Sequence, residues 1–156
     1  MYKVAELSQD YASDGAAVST PVTLTSTITK DSKVKIWLSG DFNEADEIFT
    51  LKIEGNQIYS AATNSGQDEI LVTKKESAHY LGEFSIPASL IGKQDVTVTG
   101  MTSPAVNNSK NPAARSWVEI WSDWIINGDG NSAYDNKKRG YQIPMLGNRG
   151  RGIYSY

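Results

Sequence analysis

VKIWLSGDFNEADEIFTLKIEGNQI, residues 34–58, decides the fold. Val34, Ile36 and Leu38 recur with period two through KVKIWLS, and Phe49, Leu51 and Ile53 do the same through IFTLKIE. Alternation at that period places the apolar side chains on one face of a strand and the polar ones on the other. Between Ile53 and Ile58, EGNQ supplies Gly55-Asn56, a dipeptide that accepts positive φ. IFTLKIE and QIYSA are therefore predicted to close a tight antiparallel hairpin.

The same signal extends to both sides. VTLTSTI predicts a strand with Val22, Leu24, Ser26 and Ile28 on one face. Further strands are predicted at EILVTK, at HYLGEFSI with Tyr80, Phe84 and Ile86 on one side, at QDVTVTG and at SWVEIWSDWII. PASLIG (87–92) has room for a single helical turn. MTSPAVNNSKNPAA (101–114), with two prolines and three asparagines and no periodicity, reads as a surface loop. No amphipathic helix is long enough to cover a sheet, so the strands must cover one another. The fold class expected is all-β, an antiparallel β-sandwich or jelly roll over residues 1–134 followed by an extended arm over 135–156. Its core is expected to comprise Val22, Leu24, Ile28, Val34, Ile36, Leu38, Phe49, Leu51, Ile53, Phe84, Ile86, Val96 and Val98.

A chain of 156 residues, 39% hydrophobic and 21% charged, suits one globular domain with appendages. The lack of cysteine excludes disulfides, thiolate metal sites and a cysteine nucleophile. MYKVAELSQDY has no apolar leader core, and no apolar run approaches the ~20 residues that span a bilayer. Synthesis in the cytoplasm and no membrane partner are expected. The net charge of −3 is unevenly placed: residues 1–134 carry 10 Lys/Arg against 17 Asp/Glu, and residues 135–156 carry 5 against 1. An acidic body with a basic tail suits self-association. NRGRG holds only two arginines, too few for salt-resistant phosphate binding beside an acidic body, so no nucleic-acid partner is expected.

Catalytic signals are thin. The only histidine, His79, falls inside a strand pattern, and no serine sits in a nucleophile elbow. Glu44, Asp46 and Glu47 read as a solvated acidic turn, and no enzyme is expected. GDFNEADE (40–47) and NGDGN (127–131) gather oxygen ligands in turns, with Asp41, Asp46 and Asp129 as the calcium candidates, but the full calcium-loop pattern is missing. No metal or cofactor is expected. Three tryptophans crowd SWVEIWSDW: strand alternation puts Trp117 and Trp121 on one face with Glu119 and Asp123, and Trp124 on the other with Val118 and Ile120. Two indoles on a polar face form a candidate carbohydrate platform; packing under a loop or against a subunit is the competing reading.

The tail sets Tyr141, Ile143, Met145, Leu146, Ile153, Tyr154 and Tyr156 among four glycines and one proline. That is too apolar for a solvated linker and too broken for a sheet core. It reads as a docking arm, anchored on a neighbouring subunit by Tyr141, Ile143, Met145, Leu146, Tyr154 and Tyr156, with Arg149 and Arg151 meeting acidic surface; packing on its own domain is the competing reading. Residues 34–58 resemble a strand, acidic turn and hairpin found in β-sandwich modules of extracellular and phage structural proteins. The unsignalled amino terminus and the arm resemble those of small virion proteins of tailed bacteriophages, of the head-decoration, collar, or tail and fibre kinds. The resemblance implies a non-enzymatic virion component that forms homo-oligomers and binds other virion subunits. The alternative is a carbohydrate-binding β-sandwich module that uses Trp117 and Trp121, with or without calcium, on a cell-surface glycan.

Overall fold

Eight strands form within residues 1–123, the part of the chain that the computed structural model describes. They are β1 (Tyr2–Tyr11), β2 (Ala17–Thr23), β3 (Lys33–Ser39), β4 (Ile48–Ile53), β5 (Asn56–Ala62), β6 (His79–Ser85), β7 (Asp95–Thr102) and β8 (Ala114–Ser122). One sheet has the order β1-β8-β3-β6 and the other β2-β7-β4-β5, with every pairing antiparallel. The first strand thus pairs with the eighth, the second with the seventh, the third with the sixth and the fourth with the fifth. The chain is a single long hairpin wound over itself into a jelly-roll sandwich. Its tip is the predicted β4–β5 hairpin, shifted by one residue. Glu54 (φ 51°) and Gly55 (φ 77°) make the turn, and Asn56 opens β5 with its amide donating to the Ile53 and Glu54 carbonyls. Glu54 is held in its left-handed conformation by two bonds with Thr97 on β7: its N–H donates to the Thr97 carbonyl, and its carboxylate accepts the Thr97 N–H at 2.7 Å.

Between the sheets lie Leu24, Ile28, Val34, Ile36, Leu38, Phe49, Leu51, Ile53, Ile86, Val96 and Val98, all buried as expected. Val22 and Phe84 are only partly buried, because β2 and β6 are edge strands and the core thins there. A polar network also crosses the interior. Tyr11, fully buried, shares a hydrogen bond with the Ser116 hydroxyl at 2.8 Å and donates to Gln9 Oε1 at 3.1 Å. The Gln9 amide in turn meets the Val18 and Val98 carbonyls and the Thr20 hydroxyl on the opposite sheet.

Four local expectations are corrected. VTLTSTI is no continuous strand: β2 stops at Thr23, and the alternately buried Leu24, Ser26 and Ile28 belong to the crossover, where Leu24 and Ile28 donate to the carbonyls of Gln94 and Lys93. EILVTK makes one isolated bridge, Gly40 with Ile70, and otherwise runs as a strap outside the first sheet. In HYLGEFSI an extra residue, Leu81, bulges between the Tyr80 and Gly82 pairs, which turns Tyr80 outward while Phe84 keeps its inward place. The 101–114 loop is anchored: Val106 is fully buried, and the Asn108 amide donates to the Ser13 carbonyl and the Thr102 hydroxyl. The short helical turn appears as expected, over Ala88–Leu90.

Strand directions fix the two ends of the sandwich. The β1–β2, β3–β4, β5–β6 and β7–β8 connections gather at one end, and β8 runs away from it to deliver Ser122 and Asp123 to the other.

Candidate functional site

The inward residues of β8, Val118 and Ile120, join the core, so Arg115, Trp117, Glu119 and Trp121 are left on the outer face of the first sheet. Register sets their company. Trp117 lies between Ser8 on β1 and Trp37 on β3, with Tyr80 beyond on β6. Glu119 lies between Glu6 and Lys35, and Trp121 between Lys3 and Lys33. Trp37 and Tyr80 stack at 5.0 Å with a 39° tilt. Each indole also meets a cation: Lys35 sits 4.3 Å above Trp121, Lys75 4.8 Å above Trp37, and the Arg115 guanidinium 5.7 Å from Trp117.

Residues 70–78 strap this face. Their start is tied to the end of β3, where Gly40 N–H donates to the Ile70 carbonyl at 2.7 Å and Val72 N–H donates to Ser39 Oγ at 2.8 Å. Their middle carries Lys75 over the sheet to pair with Glu119. Glu119 is 6% exposed, accepts Trp121 Nε1–H at 2.9 Å and lies 3.8 Å from Lys3. Burial pushes its carboxyl up. The hydrogen bonds from Lys75 and Trp121 and the charges of Lys75 and Lys3 outweigh that, and hold it below the usual carboxylate range.

Two clefts border the strap. One, of about 390 Å³, is lined by Glu6, Ser8, Lys74, Glu76, Trp117 and Glu119 among others. The second, of about 310 Å³, is lined by Asp10, Ala12, Val72, Thr73, Pro112 and Arg115 among others. Arg115 and Asp10 form a two-pronged ion pair at the second cleft's wall.

A separate cluster sits at the loop end. The carboxyls of Asp41 and Glu69 share a hydrogen bond, Lys110 pairs with Glu69, and its Nζ lies 3.9 Å from Asp41. Burial, then that bond, then the charges of Glu47 and Glu69 push Asp41 up to about 6, while the bonds from Asp41 and Lys110 hold Glu69 down. A carboxyl raised on folding binds its proton more tightly in the native state. Its contribution is full below the unfolded value near 3.8 and is lost as pH rises through about 6. Asp41→Asn is therefore expected to gain on the wild type as pH climbs from 4.5 to 7.5, as read by urea unfolding at both pH values. A constant difference would show that the pair holds no such proton.

Trp117 and Trp121 share one face, as the alternation predicted, but they differ in setting. Trp121 has Lys35 over its ring and its N–H engaged by Glu119, whereas Trp117 opens on a cleft. Asp41 belongs to the carboxyl pair, and the Asp46 carbonyl accepts the Ser103 hydroxyl. Among the described residues no three His, Asp or Glu side chains gather as a metal-ion set. The arm residues Tyr141, Ile143, Met145, Leu146, Arg149, Arg151, Tyr154 and Tyr156, together with Trp124, Asp129 and the 134/135 boundary, lie outside the described residues. Sequence reasoning missed Trp37, Tyr80 and Lys75 as neighbours of the tryptophan pair. The alternation in KVKIWLS already put Trp37 on the polar face. No helix among the described residues is long and apolar enough to cross a membrane. No family model matches the chain, and no curated protein matches it.

Proposed function

We propose that the protein is a non-enzymatic structural component of a bacteriophage virion, assembled in many copies through its carboxy-terminal arm. One observation carries the reading: the loops at one end of the sandwich are rich in carboxylates, whereas the sequence that follows β8 is basic. The loop end bears Asp14, Asp41, Glu44, Asp46, Glu47, Asp68 and Glu69. β8 ends at the other end, and the sequence that follows it from residue 135 carries five Lys/Arg against one Asp/Glu. The arm of one copy is thus complementary to the acidic loops of the next. Such a contact is head-to-tail, which closes into a ring or propagates. Jelly rolls suit the task, because two closed layers leave their end loops available for subunit contacts. The phage assignment rests on the resemblance of residues 34–58 and of the arm.

Sedimentation of the full chain tests this. It should assemble in dilute buffer and do so less tightly near 1 M salt, where the screening length falls to about 3 Å and the charged part of the contact is lost. Arg149→Ala with Arg151→Ala should weaken assembly about tenfold at low salt and less at high salt, as rim charges do. A monomer at both salts and at high protein concentration would overturn the proposal.

A further inference from the structure

We infer that the outer face of the first sheet binds a neutral oligosaccharide in a groove between β1 and the strap, with the Trp117 indole as its platform. The two clefts beside the strap are continuous in the register of the sheet. Ser8 pairs with Trp117 and Asp10 with Arg115, so the second cleft follows the first by one outward repeat, about 7 Å along the strands. The strap advances in parallel with them, from Val72 and Thr73 beside the second cleft to Lys74 and Glu76 beside the first. The two clefts, of about 390 and 310 Å³, thus lie in line along the strands, each at the lower end of the range of small-ligand sites. A linear ligand of repeating units fits that shape better than a compact one.

The chemistry of the lining selects the ligand. The face of an indole is electron-rich, and the polarised C–H face of a pyranose stacks on it. Of the three indoles only Trp117 lines the groove, with the Arg115 guanidinium 5.7 Å from its ring; Trp121 lies closer under Lys35, and Trp37 lies between Lys75 and Tyr80. Most of the charges around it are matched within the fold, Asp10 with Arg115, Lys75 with Glu119 and Lys3 with Glu6. Paired carboxylates keep lone pairs for hydroxyl donors but exert little net field, which disfavours a strongly ionic ligand. Lys74 and Glu76 place one charge of each sign at the rim, and Ser8 adds a hydroxyl. The walls are strands and a strap pinned to Ser39 and Gly40, so little ordering is needed on binding.

The test is a titration of the full chain with tetrasaccharides of β-glucan, xylan, mannan, α-glucan and chitin, followed by tryptophan fluorescence and confirmed by calorimetry. At least one should bind with a dissociation constant between about 1 μM and 1 mM. Trp117→Ala should weaken it at least about tenfold, and Trp117→Tyr should restore part of the loss. Ser8→Arg adds bulk at an exposed position of the groove wall without touching the core, and should block binding with an unchanged melting temperature. Tyr80→Ala, outside the groove, should leave the affinity as it was. The inference is overturned if no tetrasaccharide reaches half-saturation by about 10 mM. It is equally overturned if Tyr80→Ala weakens binding as much as Trp117→Ala, or if a polyuronate binds more tightly than every neutral sugar.

Discussion

Gly100→Ala is expected to cost the domain a large part of its stability. Gly100 lies on β7 between Val18 of β2 and Leu51 of β4, and a methyl group there would point between the sheets. It would overlap the Tyr11 hydroxyl and stand 2.7 Å from Gln9 Oε1 and 2.9 Å from Tyr11 Cζ. Tyr11 has little room to retreat, being fully buried with its ring edge-on to Phe49 at 6.0 Å. Any retreat breaks the hydroxyl's bonds to Ser116 and Gln9, and Gln9 joins β1 to both β2 and β7. Overpacking costs about 1–3 kcal/mol, and each buried polar group left unpaired costs about 1–3 kcal/mol more. Against a total stability of about 5–15 kcal/mol, a loss of at least ~4 kcal/mol is expected in urea unfolding. Tyr11→Phe added to Gly100→Ala should recover part of it, because the overlapping oxygen is removed. A single variant that melts within a few degrees of wild type would show that the sheets are less closely packed at this point.

Legibility in the sequence followed the contrast between the two faces of each strand. β3, β4 and β8 each bury an apolar face fully and keep polar or amphipathic residues on the other, so Val34-Ile36-Leu38, Phe49-Leu51-Ile53 and Val118-Ile120 could be read directly. β1 could not. Its buried positions are Val4, Gln9 and Tyr11, so a polar side chain occupies one inward place, and a bulge between Lys3 and Ala5 breaks the period. VTLTSTI kept its alternation while exchanging ladder partners for loop carbonyls, a change that periodicity does not register. Tyr80 was assigned to the wrong face because a single inserted residue inverts every side chain beyond it. At the candidate site, the shared face of Trp117 and Trp121 followed from spacing alone. The difference between them comes from Lys35 on β3 and from a strap more than forty residues away in sequence, contacts that only register and topology bring about.

Deleting residues 136–156 is expected to leave a folded sandwich that no longer assembles. Within residues 1–123 the core is already closed: Ile120 is its last buried apolar residue, and the Ser122 hydroxyl completes a polar seal by accepting from Ser32 at 2.7 Å and donating to the Thr27 carbonyl at 2.9 Å. These contacts are all made within residues 1–123, so with the arm docked on a neighbour the melting transition of the truncated chain should stay within a few degrees. If the arm supplies the subunit contact, however, its aromatic anchors carry most of that energy, and the truncated chain should sediment as a monomer and fail to enter particles. Single changes should grade the loss. Tyr154→Ala and Tyr156→Ala should each weaken assembly by at least ~2 kcal/mol, the usual size of an aromatic hot spot. Arg149→Ala and Arg151→Ala should act chiefly at low salt. The opposite result has a distinct form: a truncated chain that unfolds or precipitates, while all four point variants assemble normally, would place the arm on its own domain and leave the acidic loops without the proposed partner.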